Sequence, residues 1–398
     1  MEYQKYLLRD IGDIVSGATP KTAIAENFGG DIPWLTPADL SGYTQKYISC
    51  GARNLTKQGY DSCSTQIMPT GTVLFSSRAP IGYVAIAKNP ICTNQGFKSI
   101  VPKSFINSEF LYYQLIYLRK TIQDMGSGTT FKEISATKFG TVQVTVPPLP
   151  EQERIVSRIE ELFSQLDASV AELKTAKERL KVYRQAVLKE AFEGNYPQVQ
   201  LKEISTAISG YAFKSKLYTS DGKYVVVKIG NVKERHFEFS RDLTRTNEAD
   251  ETILDKYLLQ RGDCLITLTG SRGKRDYGFV TMIKDQANYL LNQRVAAIRF
   301  DREKAIPEFF QYYLASPVYR NAFFSYETGN VGQGNVGIKA LAEPVVILPD
   351  IEHQWEIVEK IESRLSVCDS IEKTVDTALQ QAEALRQSIL KKAFEGRL

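Results

Sequence analysis

Residues 184–194 read RQAVLKEAFEG and residues 386–396 read RQSILKKAFEG, eight identities in eleven positions at an offset of 202. The same offset runs back without a gap to Gln152 and Gln354, and 17 of those 43 positions are identical. A repeat of this period and fidelity means a duplicated structural unit, and it constrains the fold more than any other feature of the chain. The upstream segments repeat in the same order but more loosely. DIGDIVSG (10–17) resembles EISTAISG (203–210), PWLTPADL (33–40) sits like VVVKIGNV (225–232), and GTVLFSS (71–77) matches GDCLITL (262–268). Asn94-Gln95 matches Asn292-Gln293, and SEFLYYQL (108–115) matches PEFFQYYL (307–314). Offsets drifting from about 191 to about 199 are what diverged loops between two copies of one fold produce.

The best-kept part of the repeat is helical. Ile155, Ile159, Leu162, Leu166, Leu173, Leu180 and Val187 fall in steps of three and four, with Ser169 the polar interruption. The second copy offers Ile357, Ile361, Cys368, Ile371, Val375, Leu385 and Ile389, broken by Arg364, which Leu365 can cover. Such a seam predicts two helices of about 43 residues, roughly 60 Å each, pairing as a coiled coil. Pro150 and Pro349-Asp350 are the expected starts, Gly194 and Gly396 the expected stops. The remaining segments mix short strands (TVLFSS, YVAIAK, SIVP, TVQVTV) with the helix NSEFLYYQLIYLRKTIQDM. The fold class is α+β: two tandem mixed α/β domains separated by two long antiparallel coiled-coil helices, related by a pseudo-two-fold. The expected boundaries are 1–149, 150–196, 197–348 and 349–398. Under that symmetry a fragment of residues 1–197 is one complete repeat. Helix 1, which lacks a seam arginine, is then expected to self-pair better than helix 2.

Net charge is only +4. Residues 1–149 carry 14 Lys/Arg against 10 Asp/Glu and residues 197–348 carry 21 against 17, while 150–196 carry 8 against 9 and 349–398 carry 7 against 10. The excess positive charge sits on the two larger segments. The charged start, MEYQKYLLRD, does not read as a secretory leader, and no apolar run approaches the ~18 residues of a membrane helix. Five scattered cysteines without a CxxC pair make a zinc site or disulfide framework unexpected and fit a reducing cytoplasm.

Catalytic signatures are missing. There is no Gly-rich cofactor loop with an Asn/Asp-Pro-Pro-aromatic tetrapeptide, no carboxylate pattern of a metal-dependent nuclease, no GxxxxGK[ST] loop, and only two histidines, His236 and His353. No catalytic residue, metal or cofactor is therefore assigned to the chain. Nucleic-acid recognition instead needs Lys and Arg for phosphates and Arg, Lys, Asn, Gln or Thr for base edges. SRGKRDYG (271–278) places Arg272, Lys274 and Arg275 in a Gly-flanked loop, and SSRAPIGY (76–83), with Arg78, is its shorter counterpart. Gly-rich loops carry Thr129, Thr130 and Lys132 in the first copy, and Gln333 and Asn335 in the second. Lys21, Thr36, Lys214, Lys228 and Asn231 complete the candidates, although ordinary solvated turns have the same composition. Asn94-Gln95 and Asn292-Gln293 recur in both copies, which favours a structural role, since specificity residues should differ.

DIGDIVSGATPKT, IPWLTPADL, VLFSSRAPIGYVAIA, VPPLPEQERIVSRIEELFSQLDA and the closing LKEAFEG and LKKAFEG, in this order, resemble the specificity subunits of type I restriction-modification systems over essentially the whole chain. The second copy departs at ILPDIEHQWEIV, where the family reads closer to PPLPEQ. The resemblance implies a non-catalytic subunit whose two target-recognition domains each read half of a bipartite asymmetric DNA site. The helices would act as spacer and docking place for two methyltransferase subunits, which use S-adenosylmethionine. Restriction subunits using ATP and Mg²⁺ are possible further partners. A related system without a separate translocating subunit, an enzyme with unrecognised motifs, and a coiled-coil adaptor without sequence-specific DNA binding remain the alternatives.

Overall fold

The computed structural model describes residues 4–128, 132–239, 243–247, 249–329 and 332–398. The chain divides into two compact units, residues 1–173 with 377–398 and residues 174–376. The second unit is one continuous stretch and the first is made of two, and each takes one globular domain, part of the first long helix and part of the second.

In the first unit a five-stranded sheet has the order Gly12–Ser16, Lys98–Pro102, Val73–Ser77, Ile81–Ala87, Tyr47–Ile48, antiparallel except for the last pair. In the second unit the order is Ser205–Ser209, Val295–Phe300, Cys264–Thr267, Val280–Met282, all antiparallel. The first four strands of one sheet thus repeat the other in order and direction. The continuous apolar runs Val73-Leu74-Phe75 and Cys264-Leu265-Ile266 fit strands covered on both faces, and both central strands are buried throughout. Gly17 and Gly210 close the first strand of each copy against a backbone that leaves no room for a side chain. A Cβ at Gly17 would stand 2.0 Å from the Thr93 carbonyl oxygen, and one at Gly210 1.9 Å from that of Asn292. That contact explains why DIVSG and AISG recur beside Asn94 and Asn292. Asn94 Oδ1 accepts from the Gly96 amide at 2.8 Å.

The predicted strands appear where expected. The predicted helix over 107–125 is two helices, Ser108–Tyr117 and Arg119–Met125, with a break at Leu118. The long helices run Leu149–Ala191 and Ile351–Phe394, 43 and 44 residues. Gly396 closes the second with a left-handed φ of +71°. Gly194 does not take that conformation, and the first helix ends earlier, where the Phe192 amide bonds back to the Lys189 carbonyl.

Within the first unit the start of helix 1 lies against the end of helix 2, with Ile155, Val156 and Ile159 sharing a core with Ile389, Leu390, Ala393 and Phe394. Within the second unit the end of helix 1 (Val187, Leu188, Phe192) shares a core with the start of helix 2 (Ile357, Val358, Ile361, Leu365). The helix segments are therefore antiparallel in each unit, and the roles of the two helices are exchanged between units.

The seam follows the expected residues at its ends and departs from them in the middle. Ile155, Ile159, Val187, Ile357, Ile361, Cys368, Val375 and Ile389 are buried; Leu162, Leu166, Leu173 and Leu180 are half-buried. Ile371 and Leu385, expected in the seam, are 44% and 50% exposed. A straight helix of 3.6 residues per turn drifts from a strict heptad. Leu365 takes the buried place at Arg364, and Glu372 and Arg386, one position on from Ile371 and Leu385, become the partly covered residues.

Candidate nucleic-acid interface

Each globular domain is fastened to the helices by the residues that the repeat keeps. Phe394, from the AFEG sequence of helix 2, packs on Phe110 and Tyr117 of the first domain with ring centroids 5.3 and 5.6 Å apart. Phe192, from the AFEG of helix 1, packs on Phe309 and Tyr313 of the second at 5.4 and 5.1 Å. The fully buried Gln152 Nε2 donates to the carbonyls of Phe105 (2.9 Å) and Pro147 (2.8 Å), and its Oε1 accepts from the Asn107 amide (2.8 Å). Gln354 does the same with the Lys304 and Pro349 carbonyls (2.9 and 2.8 Å) and the Ile306 amide (2.8 Å). Tyr113 and Tyr312 donate to Glu160 and Glu362, both at 3.3 Å. These polar contacts hold a fixed orientation, because a buried amide is satisfied in one register only.

Beyond the end of the central strand of each sheet, away from sequence adjacency, the predicted basic and Gly-rich loops meet. In the first domain Arg78 pairs across a β-bridge with Glu133, and the Ser127 and Glu133 backbones bond reciprocally at 3.0 and 2.9 Å. The Ile134 amide bonds to the Ser77 carbonyl at 3.0 Å. Lys132, exposed, belongs to this same loop beside Arg78. Thr129 and Thr130 lie outside the described residues. In the second domain Thr269–Ser271 pairs with Gln333–Asn335 (Thr269 with Asn335, Gly270 with Gly334, Ser271 with Gln333). Here Thr328 and Asn335 bond reciprocally at 2.8 Å, and the Val336 amide bonds to the Leu268 carbonyl at 3.0 Å. By backbone bonds, then, the match of Arg78 is Thr269, and Arg272, Lys274 and Arg275 stand beyond two further ladder pairs, Gly270 with Gly334 and Ser271 with Gln333.

A carboxylate that the sequence reading missed sits under each basic tip. Glu133 lies 3.5 Å from Arg78 and 3.9 Å from Lys98. Lys98 is nearly buried, so its ammonium is held below the ordinary lysine range by burial, with Glu133 opposing. Glu327, with a side chain 9% exposed, accepts from Arg272 at 3.3 Å and from the Tyr277 hydroxyl. The Arg275 and Arg320 guanidinia lie over the Phe324 ring at 4.8 and 5.2 Å. The available signal was an acid flanking the Gly-rich loop in both copies, after it as Lys132-Glu133 and before it as Glu327-Thr328.

The other candidates are spread differently. Thr36 caps a short helix, its amide and hydroxyl both bonding Asp39 Oδ2 at 2.7 and 2.8 Å. At the matching turn the Lys228 amide bonds Asn231 Oδ1 at 2.9 Å, and Asn231 Nδ2 bonds the Glu238 carbonyl at 3.0 Å. Lys228 Nζ bonds Thr244 and lies 4.3 Å above Tyr218. These three side chains have internal partners. Lys21 is exposed and takes part in its turn through its carbonyl. Lys214 lines a cavity of about 380 Å³ with Tyr211, Phe213 and Leu217, apart from the loop pair. Among the described residues no cluster of His, Cys, Asp and Glu is placed to hold a metal ion, and no helix is long and apolar enough to cross a membrane.

Two similar domains, each presenting a basic loop against a Gly-rich one and each riveted to paired helices, define a tandem recognition protein. The profile of the type I restriction modification DNA specificity domain matches residues 1–178 and again 193–381, and the chain belongs to that family. It is 28% identical to the EcoKI specificity subunit of Escherichia coli K12 over 371 residues, 87% of this chain and 77% of that one. It is 47% identical to the MjaIX specificity subunit of Methanocaldococcus jannaschii over 154 residues, 38% of this chain and 35% of that one. The solved HsdS subunit of Thermoanaerobacter tengcongensis superposes with a TM-score of 0.56 at 18% identity, over 100% of this chain and 97% of that one. A chain from work on the assembly and conformational transition of a type I R-M system gives 0.75 at 19%, over 100% and 98%. At those identities the structural likeness is one of fold. The chain is a DNA-recognition subunit and not the catalytic one; DNA and methyltransferase are the partners that its family implies.

Proposed function

We propose that each domain reads one half of an asymmetric, interrupted DNA site through its paired loops. The first uses Arg78 and Lys132 with Thr129 and Thr130; the second uses Arg272, Lys274 and Arg275 with Gln333 and Asn335. Lys21 and Lys214 are secondary phosphate contacts, and Thr36, Lys228 and Asn231 act by shaping the surface. The globular parts 1–149 and 197–348 are the readers, and 150–196 and 349–398 the spacer. Two methyltransferase copies dock on the helices and bring S-adenosylmethionine, restriction subunits add ATP- and Mg²⁺-dependent cleavage, and the assembly works in the cytoplasm.

One observation carries this reading: segments about 60 residues apart in sequence, one cationic and one rich in amide and hydroxyl groups, are joined by backbone bonds at the same place in both domains. Cations for the backbone and amides for base edges are the two components that groove recognition needs. Exchanging residues 1–149 for the first domain of another family member is expected to change one half-site and leave the other intact. Methylome sequencing reads the result, and altered bases in both halves would refute independent readers.

A further inference from the structure

The long helices carry more than an apolar seam. In the second unit Lys177 of helix 1 lies 2.6 Å from Asp376 and 3.7 Å from Glu372 of helix 2. Arg184 bridges Asp369 and Glu372 at 2.5 and 2.8 Å, and Arg364 lies 2.8 Å from Glu190. In the first unit Arg386 bonds Asp167. Since Arg386 and Asp369 are the 202-residue counterparts of Arg184 and Asp167, this is the same pair with the helices exchanged. The repeat thereby tells which residue of one helix stands where a given residue of the other stands.

That correspondence can be run for the wrong pairings. The counterpart of Asp376 in helix 1 is Lys174, so a second copy of helix 1 in place of helix 2 would set Lys174 against Lys177. The counterpart of Glu190 in helix 2 is Lys392, so a second copy of helix 2 in place of helix 1 would set Lys392 against Arg364. Arg184 would meet Asp167 in the first case, and its counterpart Arg386 would meet Asp369 in the second. One pair thus recurs in all combinations and holds the register. The other two are attractive only when helix 1 meets helix 2. The first becomes Lys174 against Lys177 when helix 1 meets itself, and the second becomes Lys392 against Arg364 when helix 2 meets itself. In the remaining self-pairing each loses its attraction, with Leu379 in place of Lys177 and Leu162 in place of Arg364.

We infer that this charge register makes the helix face of residues 174–190 a selective surface: it takes residues 364–376 of the other helix and rejects a second copy of itself. A duplicated gene needs such a device, because near-identical seams would otherwise let the first repeat of one chain pair with the first repeat of another. Apolar contacts cannot discriminate between Ile155 and Ile357; flanking charges can, as they do in coiled coils. The expectation that helix 1 self-pairs better, drawn from its lack of a seam arginine, is reversed.

The full-length chain tests this. D376K puts helix 1's residue at helix 2's place, and E190K puts helix 2's residue at helix 1's place; D376N and E190Q remove the charge without reversing it. At low ionic strength each Lys variant is expected to unfold about 1–3 °C below its neutral partner, with the gap closing as salt screens it. The charge swaps K177E with D376K, and R364E with E190K, are expected to recover most of the loss. A Lys variant as stable as its amide counterpart at low salt, or a swap whose losses merely add, overturns the inference. Should one pair of sites fail to give folded protein, the other pair decides alone.

Discussion

The two recognition domains differ least where they touch the helices and most where they point away from them. Gln152 and Gln354 make equivalent sets of three bonds, Phe394 and Phe192 pack on the equivalent Phe110 and Phe309, and Tyr113 and Tyr312 reach the equivalent Glu160 and Glu362 at the same distance. At the loop pair the described residues of the first domain give one bridge from its basic segment, Arg78 with Glu133, whereas the second has two more pairs before its three basic residues. Two pairs of antiparallel ladder advance a tip by roughly 7 Å. Polar residues that recur between the copies thus make the joints with the helices, and the proposed reading residues are among those that differ.

The strongest way to break this comparison is to remove an aromatic rivet. Phe192→Ala and Phe394→Ala each empty a seat between a helix and a domain, and large-to-small changes of a buried ring cost about 3–5 kcal/mol. Because the seats match, the two losses should agree within about 1 kcal/mol by chemical denaturation. A large loss in one and a small loss in the other would show that the two units are not equivalent.

Gln152→Leu and Gln354→Leu should come next. Each leaves two carbonyls and one amide without partners in a buried place, a loss of about 2–4 kcal/mol. Their helix-flanking sequences differ, VPPLPEQ against ILPDIEHQ, so equal effects would show that the glutamine alone makes the joint.

Why these joints escaped the sequence reading is itself physical. The repeat, the helices and the strand segments were legible because periodicity and internal identity are carried by many residues at once. The basic and Gly-rich loops were legible as loops, and their meeting across about 60 residues was not, since no local pattern encodes which segments pair. Gln152 was visible only as an identity at offset 202; its burial depends on carbonyls contributed by a turn 47 residues away. Thr36, Lys228 and Asn231 look like base-reading residues by chemistry, yet a side chain two or three positions from its own turn caps that turn first. Ile371 and Leu385 were placed in the seam by a strict heptad that the burial along helix 2 does not keep.

A sharper comparison of the two loop pairs uses salt. Within the assembled methyltransferase complex, Arg78→Ala removes one cation from the first tip, and a combined change of Arg272, Lys274 and Arg275 to Ala removes three from the second. Each lost phosphate contact lowers the slope of log affinity against log salt by about 0.9. The triple variant should therefore lower it about three times as much as Arg78→Ala. An equal change would place two of the three cations off the backbone, reading bases or packing as Arg275 does on Phe324.

The smallest expected difference lies at the helix starts. In helix 2 Asp350 caps the first turn, accepting from the His353 amide at 2.9 Å and contacting its Nδ1 at 2.8 Å. The corresponding residues of helix 1 are Pro148 and Glu151, so the first unit has no such pair. The bond to Asp350, together with its charge, raises the His353 pKa, and the His353 amide and ring lower that of Asp350. A raised histidine pKa means that folding favours the protonated ring. That contribution is complete below the ordinary histidine range near 6.5 and is lost as pH rises through the raised value. A lowered aspartate pKa works in the opposite direction: its contribution is present above the ordinary carboxylate range and is lost as pH falls through the depressed value. Both contributions are present together on the acid side of neutrality. His353→Gln should consequently abolish a small decline in unfolding midpoint between about pH 6 and 8, and Asp350→Asn should abolish it as well while removing the cap. An NMR titration of the imidazole, assigned with the His353→Gln variant, should give a pKa above 6.5 in the parent chain that falls in Asp350→Asn. An unshifted ring would mean that Asp350 caps the helix through the backbone amide alone, and the two helix starts would then differ in sequence without differing in pH response.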